Sequence, residues 1–288
     1  MMPVLRSEHV ISWANHTLAL GVRSYIAGIL NVTPDSFADG GVYFDPEKAV
    51  AHALEMERNG ADIIDIGGES TRPYAEQVTE EEELDRVIPV IRELSGKLKV
   101  PMSIDTYRSG VAEKAIEAGA SMINDISALS FDAQMISVAA EAKVPVILMH
   151  IKGNPRNMQV NPVYDNLISE IISFLRDAIE RGVKGGINEK MLIVDPGIGF
   201  GKTFDHNLEI INNLDRFRLL DRPIIFGSSR KSFIGHILGN EPNERDIGTM
   251  ATVTAALLNG AHIVRVHNVK MAADTAKVID AIMKGQCL

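Results

Sequence analysis

Seven short apolar runs in this chain stop abruptly at polar or charged residues, and an eighth does the same at the start of a longer loop. The tips read Asn31, Asp65-Ile66-Gly67-Gly68-Glu69-Ser70-Thr71-Arg72, Asp105-Thr106, Asn124-Asp125, His150, Asp195-Pro196-Gly197, Ser228-Ser229-Arg230-Lys231 and Arg265-Val266-His267. Short apolar runs separated by helical patterns are what parallel strands buried on both faces look like. Polar groups closing every strand at the same end converge in space, and convergence makes a site.

The expected strands cover residues 25–31, 62–67, 101–105, 121–125, 144–150, 191–195, 223–227 and 262–267. Between them the capping signals are specific. Asp45-Pro46 opens a helix that stops at Gly60, and Thr79 with Glu82 forms a capping box for one that ends near Leu98. Further helices are expected over 109–118, 132–142, 163–181, 205–217, 245–258 and 270–284, with a short one after Ser229. Gly60-Ala61, Gly119-Ala120 and Gly260-Ala261 form a faint repeat, each ending a helix just before a strand. The alternation predicts an α/β chain, a (β/α)8 TIM barrel, as one domain over residues 1–288. Residues 3–24 read as a short N-terminal β-hairpin capping one end. The alternative is an open doubly wound sheet, whose first turn usually carries Gly-x-Gly-x-x-Gly; the first strand here lacks it. Gly197-Ile198-Gly199-Phe200-Gly201-Lys202 follows the sixth strand and reads as a loop needing tight backbone turns.

A net charge of −9 argues against a nucleic-acid partner. No apolar stretch approaches the ~18 residues of a membrane span. The single cysteine, Cys287, points to a reducing cytoplasm, and Arg6, Glu8 and His9 break the apolar content that a signal peptide would need.

In a barrel the loops after the strands build the site. Asp105, Asn124 and Asp195 end three different strands. Two bland explanations compete: helix N-capping by Asp105 and Asn124, or a two-carboxylate metal site. The functional one is recognition of a ligand rich in N–H donors, because a carboxylate only accepts and matches an amidine-like edge. Arg72, Lys231, Arg265 and His267 are cations at the tips of the second, seventh and eighth strands. With Ser229-Arg230-Lys231-Ser232 opening a helix there, they predict a phosphate or diphosphate cradle; Arg230 is left out of it. The loop from Asn31 to Gly41 is long enough to close over a site, and Asn31 suits a Mg2+ that also holds phosphates. Met149, beside His150, offers an apolar floor for a flat heterocycle.

Together these motifs resemble the dihydropteroate synthase family of pterin-binding enzymes, from about Ile26 to Ile282. The resemblance rests on Gly28-Ile29-Leu30-Asn31-Val32-Thr33-Pro34-Asp35-Ser36-Phe37, Asp65 through Pro73, Ser103-Ile104-Asp105-Thr106, Ile123-Asn124-Asp125, Asp195 through Lys202, Ser229-Arg230-Lys231-Ser232 and Arg265-Val266-His267. It implies condensation of 7,8-dihydropterin-6-ylmethyl diphosphate with 4-aminobenzoate to 7,8-dihydropteroate and diphosphate, in folate biosynthesis. It implies that Asp105, Asn124, Asp195 and Lys231 hold the pterin, and that Asn31 with Mg2+, Arg72, Arg265 and His267 hold the diphosphate. Thr71, Arg72, Pro73, Asp35, Ser36 and Phe37 are then expected to close over the site. Phe37, Pro73, Phe200 and Lys231 are expected to line the aminobenzoate pocket, with Ser232 at its carboxylate. The family also implies a homodimer. Three positions depart from its usual pattern: Tyr74 for Gly, Ile198 for Phe and Asn268 for Asp. Two rivals share the pterin-holding groups. A methyltetrahydrofolate–corrinoid methyltransferase has no diphosphate to bind, so the cationic tips argue against it. A non-catalytic pterin-binding paralogue should have lost part of the first two loops or a phosphate cation, and here both are whole.

Overall fold

The computed structural model describes residues 6–33, 45–70 and 77–285. It begins with a hairpin, β1 (His9–Trp13) and β2 (His16–Leu20), paired antiparallel from His9↔Leu20 to Trp13↔His16. Ile11, Trp13, Leu18 and Leu20 are buried in alternation with wetter neighbours, the period of a strand with one covered face.

Eight parallel strands follow: β3 (Tyr25–Asn31), β4 (Ile63–Gly67), β5 (Met102–Asp105), β6 (Met122–Asp125), β7 (Val146–Met149), β8 (Leu192–Asp195), β9 (Ile225–Phe226) and β10 (Ile263–Val266). They pair in chain order, with β10 beside β3. A parallel bridge, Val194↔Ile224, brings β9 back to β8, where Val194 N–H donates to the Pro223 carbonyl at 2.9 Å. The α/β barrel with its N-terminal hairpin is therefore the fold that the alternation predicts. The helices are α1 (Pro46–Arg58), α2 (Glu80–Leu94), α3 (Ser109–Ala118), α4 (Met135–Ala142), α5 (Leu167–Lys184), α6 (Phe204–Asn212), α7 (Ser232–Leu238), α8 (Asp246–Leu258) and α9 (Val269–Lys284).

The two faces of each strand have different fates, and this places the site. Ile26, Leu30, Ile64, Ile66, Ile104, Ile123, Leu148, Val194 and Val264 face outward and join the helices in the main core. Tyr25, Ile63, Met122, Ile147, Ile193, Ile225 and Ile263 face inward and fill one end of the barrel together with Ile11, Trp13, Leu18 and Leu20 of the hairpin. Side chains two residues apart share a strand face. The next inward positions are therefore Asp65, Asn124, Met149, Asp195 and Arg265. The apolar plug ends and a polar layer begins on the same strands.

Most of the caps are as the sequence signals them. Asp45 accepts from the Glu47 and Lys48 amides, and Thr79 and Glu82 form a reciprocal capping box. Several helix boundaries differ. The helix expected to end near Leu98 stops at Leu94. The helix expected from 132 starts at Met135: Asp132 accepts the Gln134 amide at 2.9 Å in the turn before it, and its other oxygen accepts from Ser109 N–H at 2.8 Å at the start of α3. The one expected from 163 starts at Leu167, where Asn166 supplies the cap to Ser169. The one expected over 205–217 stops at Asn212, and a 3₁₀ turn, Leu214–Leu220, continues it. No helix among the described residues is long and apolar enough to cross a membrane.

The closed end is pinned by polar groups. Asp280 accepts from both Ser24 N–H and Ser24 Oγ at 2.7 Å and pairs with Arg6 at 3.2 Å. The His262 ring is fully buried; its Nδ1 lies 3.0 Å from Ile224 N and its Nε2 lies 2.9 Å from the Ser7 carbonyl oxygen. The Ile224 amide can only donate, so Nδ1 accepts and the neutral ring carries its proton on Nε2. Burial lowers the His262 pKa to about 4, from 6.5. The unfolded chain therefore binds the extra proton first, so stability is full above pH 6.5 and falls as pH drops toward 4. Between pH 7 and pH 4.5, wild type should lose on the order of 2 kcal/mol more than His262→Asn in urea unfolding; parallel curves would contradict this role.

Candidate active site

Inside the barrel mouth one guanidinium ties three strands together. Arg265 on β10 donates from Nε to Asp65 Oδ2 on β4 at 2.5 Å and from Nη2 to Asp105 Oδ2 on β5 at 2.6 Å. Asp65 Oδ2 also accepts from Asn124 Nδ2 on β6 at 3.0 Å. A carboxylate can only accept, so this bond fixes the Asn124 amide: Nδ2 is committed to Asp65, and Oδ1 is the acceptor offered to a ligand. Asp195, ending β8, accepts the Gly197 amide at 2.7 Å. Neither Asp105 nor Asn124 caps a helix. The residue before α3 is Arg108, which makes no side-chain cap bond.

The electrostatics follow from burial. Burial pushes Asp105 up to about 7, against the pull of Arg265 and with a further push from Asp65. Burial pushes Asp195 up to about 6, against the Gly197 amide and the charges of Arg265, Lys202 and Lys231. For Arg265, burial alone would lower the pKa, but Asp65 and Asp105 outweigh it and the net shift is upward. The guanidinium is thus a permanent cation, while the carboxylates sit close to their charging point.

Lys231 is the residue before α7, and its Nζ lies 4.1 Å from the centroid of the Phe200 ring, a cation–π contact. Phe200 is buried in an apolar cluster with Met149, Ile126, Ile151 and Met158. Met149, expected as the floor, and Phe200, expected in the aminobenzoate pocket, are therefore in one cluster. His267 Nδ1 lies 2.8 Å from Ser229 Oγ, which also accepts the His267 amide at 3.1 Å. Ser232 is the exposed first residue of α7, and Asn31 ends β3 opposite Gly67. Arg230 forms a two-point pair with Asp246, at 2.7 and 3.0 Å, in the first turn of α8, which accounts for its absence from the cradle.

Two of the three departures acquire a context. Asn268 caps α9 and donates to Asp246 Oδ2 at 2.9 Å; an Asp there would set two carboxylates against each other. Ile198 is buried in the main core. Tyr74 lies outside the described residues, as do the expected site residues Asp35, Ser36, Phe37, Thr71, Arg72 and Pro73.

Among the described residues no three His, Cys, Asp or Glu side chains cluster to hold a metal. The two-carboxylate alternative gains no support, because Asp105 is engaged by Arg265. Asn31 offers a single amide oxygen at a strand tip, which suits Mg2+ arriving on a diphosphate and completing its shell with phosphate oxygens and water.

Two buried polar residues carry roles that the sequence pattern does not assign. Asp65 opens the second tip, but nothing in its spacing joins it to Arg265 or Asn124. Lys202 is 1% exposed, with Nζ 2.9 Å from both His150 Nδ1 and the Phe200 carbonyl oxygen, and nothing in its spacing announces this.

An α/β barrel with an acceptor-rich slot beside cations at its mouth is a natural receptor for a donor-edged heterocycle. Comparison with known proteins agrees. Residues 27–267 match the family described as pterin binding enzyme. The chain is 48% identical over 274 residues to the dihydropteroate synthase of Bacillus subtilis (strain 168), covering 95% of this chain and 94% of that one. The structure superposes with a TM-score of 0.90 on the Yersinia pestis dihydropteroate synthase in a sulfonamide drug complex, at 42% identity, covering 96% of this chain and 100% of the other. It superposes with a TM-score of 0.84 on the Xanthomonas albilineans dihydropteroate synthase in complex with 7,8-dihydropteroate, at 40% identity, covering 93% and 96%. The chain belongs to the pterin-binding enzyme family. The three relatives named above are dihydropteroate synthases, the group its motifs resemble.

Proposed function

We infer that this chain is a transferase of folate biosynthesis that carries out the dihydropteroate synthase reaction. The observation that carries the reading is the set Asp105, Asn124 and Asp195 at the barrel mouth beside Lys231, with Arg265 on Asp105, Asp65 on Asn124 and the Gly197 amide on Asp195. Acceptors there meet the amino-amidine edge of a dihydropterin, and Lys231 supplies a cationic donor to the ring. The ring lies over Met149. Phe200 and Lys231, with Phe37 and Pro73, line the aminobenzoate pocket, and Ser232 meets its carboxylate.

Diphosphate leaves first. The bond from the methylene carbon to the diphosphate oxygen breaks with both electrons going to oxygen, and the pterin delocalises the positive charge that remains. Arg72, Arg265 and His267 stabilise the growing anion. Asn31 would hold a Mg2+ ion, which would supply further charge neutralisation when bound. The amine lone pair of 4-aminobenzoate then forms the carbon–nitrogen bond, and its proton leaves late, so no strong base is required. Arg265 therefore has two duties, since its fork also holds Asp65 and Asp105. Thr71, with Asp35 and Phe37, belongs to the two loops that shield this step from water. The single Cys287 supports a cytoplasmic setting.

The reading extends to a homodimer. Phe204, Leu208, Ile237, Leu238 and Ile247 are exposed on α6, α7 and α8. Phe204, Leu208 and Ile237 line a groove of about 370 Å³ together with Phe233 and His236. A contiguous apolar surface of this kind favours self-association.

Asp105→Ala and Lys231→Ala should each abolish turnover, on the order of a thousandfold or more, while circular dichroism still reports a folded barrel. Near-normal activity in either variant would refute the site assignment. Oxygen scrambling between bridging and non-bridging positions of the pterin diphosphate, without aminobenzoate, is expected if departure precedes attack; its absence where exchange should be visible contradicts that order. Sedimentation should report twice the chain mass of 31.4 kDa, and a species of the chain mass alone would contradict the dimer.

A further inference from the structure

Lys202 takes no part in the steps above, yet it is among the largest fully buried side chains in the protein. An ammonium taken out of water is costly unless every N–H finds an acceptor. Here three acceptors face it: His150 Nδ1 at 2.9 Å, the Phe200 carbonyl at 2.9 Å and the His150 carbonyl at 3.5 Å. The His150 ring must be neutral to accept, and burial, reinforced by Lys202 and Lys152, lowers its pKa well below the usual range. The same ring packs edge-on against Phe174 at 4.8 Å, so the acceptor is itself held in place.

The loop that Lys202 closes is pressed onto the segment after β7. A Cβ on Gly197, at φ +70°, would lie 1.9 Å from the His150 carbonyl oxygen. One on Gly201, at φ +66°, would lie 2.5 Å from that of Lys152. Only glycine fits both the backbone and the space. Gly199 is tied separately, its amide to Asn207 Oδ1 at 2.7 Å and its carbonyl to Gln159 Nε2 at 2.6 Å. Phe200 lies between these ties, and its own carbonyl is held by Lys202.

We propose that Lys202 is a positioning residue of the aminobenzoate pocket: its amino group, seated on the Phe200 carbonyl and the His150 ring, sets the Phe200 side chain against Lys231. The proposal rests on the reading that Phe200 and Lys231 line that pocket. Burial, with Lys231 adding to it and Asp195 opposing, lowers the Lys202 pKa well below the usual lysine range, and the N–H donors remain the feature an apolar side chain would lack. It also predicts which substrate senses the residue, since Asp195 has an independent bond from the Gly197 amide.

Steady-state kinetics on Lys202→Met, Phe200→Ala and the double variant test this. Lys202→Met keeps the stem and removes the donors. Its KM for 4-aminobenzoate should rise about tenfold, while KM for the pterin diphosphate stays within about twofold. Phe200→Ala should raise the same KM, and the double variant should match it within about twofold, because one residue acts through the other. An unchanged aminobenzoate KM in Phe200→Ala sinks the pocket reading itself. A normal KM in Lys202→Met beside a raised one in Phe200→Ala overturns only the positioning role. Equal rises for both substrates, or effects that multiply in the double variant, overturn it too. Should Lys202→Met not fold, His150→Leu removes one acceptor and leaves the amino group. A smaller rise in the same KM then supports the proposal, and an unchanged KM overturns it.

Discussion

A guanidinium inside a barrel has to be answered by anions, and the answer given to Arg265 organises the whole mouth. Two buried carboxylates close together would repel, and one would take up a proton. The Arg265 fork separates and neutralises Asp65 and Asp105, and Asp65 in turn fixes the Asn124 amide. What remains for a ligand is a slot of acceptors set by geometry before anything binds. Such preorganisation matters because recognition of a donor edge requires several acceptors to be right at once.

The same strands build both the stability and the site. Their outward residues bury against helices, and their first inward residues close the barrel against the hairpin. Because side chains alternate, the next inward residue of each strand must face the open end. Polar groups there are shielded from bulk water yet reachable by a ligand. This is why the carboxylates are held near their charging point, and why Lys202 can be buried with its N–H groups satisfied by two neighbouring loops.

Much of this is legible in the sequence, and what is not has a physical reason. Strand tips are local signals, so Asn124, Asp195 and Arg265 can be read from the point where apolar runs end. Caps are local too, as at Asp45 and Thr79. Partnerships are not. Arg265 lies 200 residues from Asp65 and 160 from Asp105, and no spacing rule joins them. Asp65 is visible at the start of its tip, but its role as the partner of Arg265 and Asn124 is not. Lys202 looks like an ordinary loop cation, because its burial depends on where β7 and β8 place two loops. The helix expected from 132 starts late at a residue shared between two elements: Asp132 holds the Gln134 amide in a turn and also accepts the first amide of α3. Strand 223–227 shrinks to two paired residues, Ile225 and Phe226, with Pro223 contributing only its carbonyl to the closing contact.

The central claim is that the slot recognises its ligand through the acceptors Asp105, Asn124 and Asp195, with Arg265 holding Asp105 directly and Asn124 through Asp65. The affinity of a dihydropterin lacking the diphosphate, measured by calorimetry from pH 8.5 to pH 5, tests it most directly. With Asp105 charging at about 7 and Asp195 at about 6, affinity should be constant at the alkaline end. It should then fall by about tenfold per pH unit below the first value and more steeply below the second. An affinity that stays flat across the whole range would contradict the account.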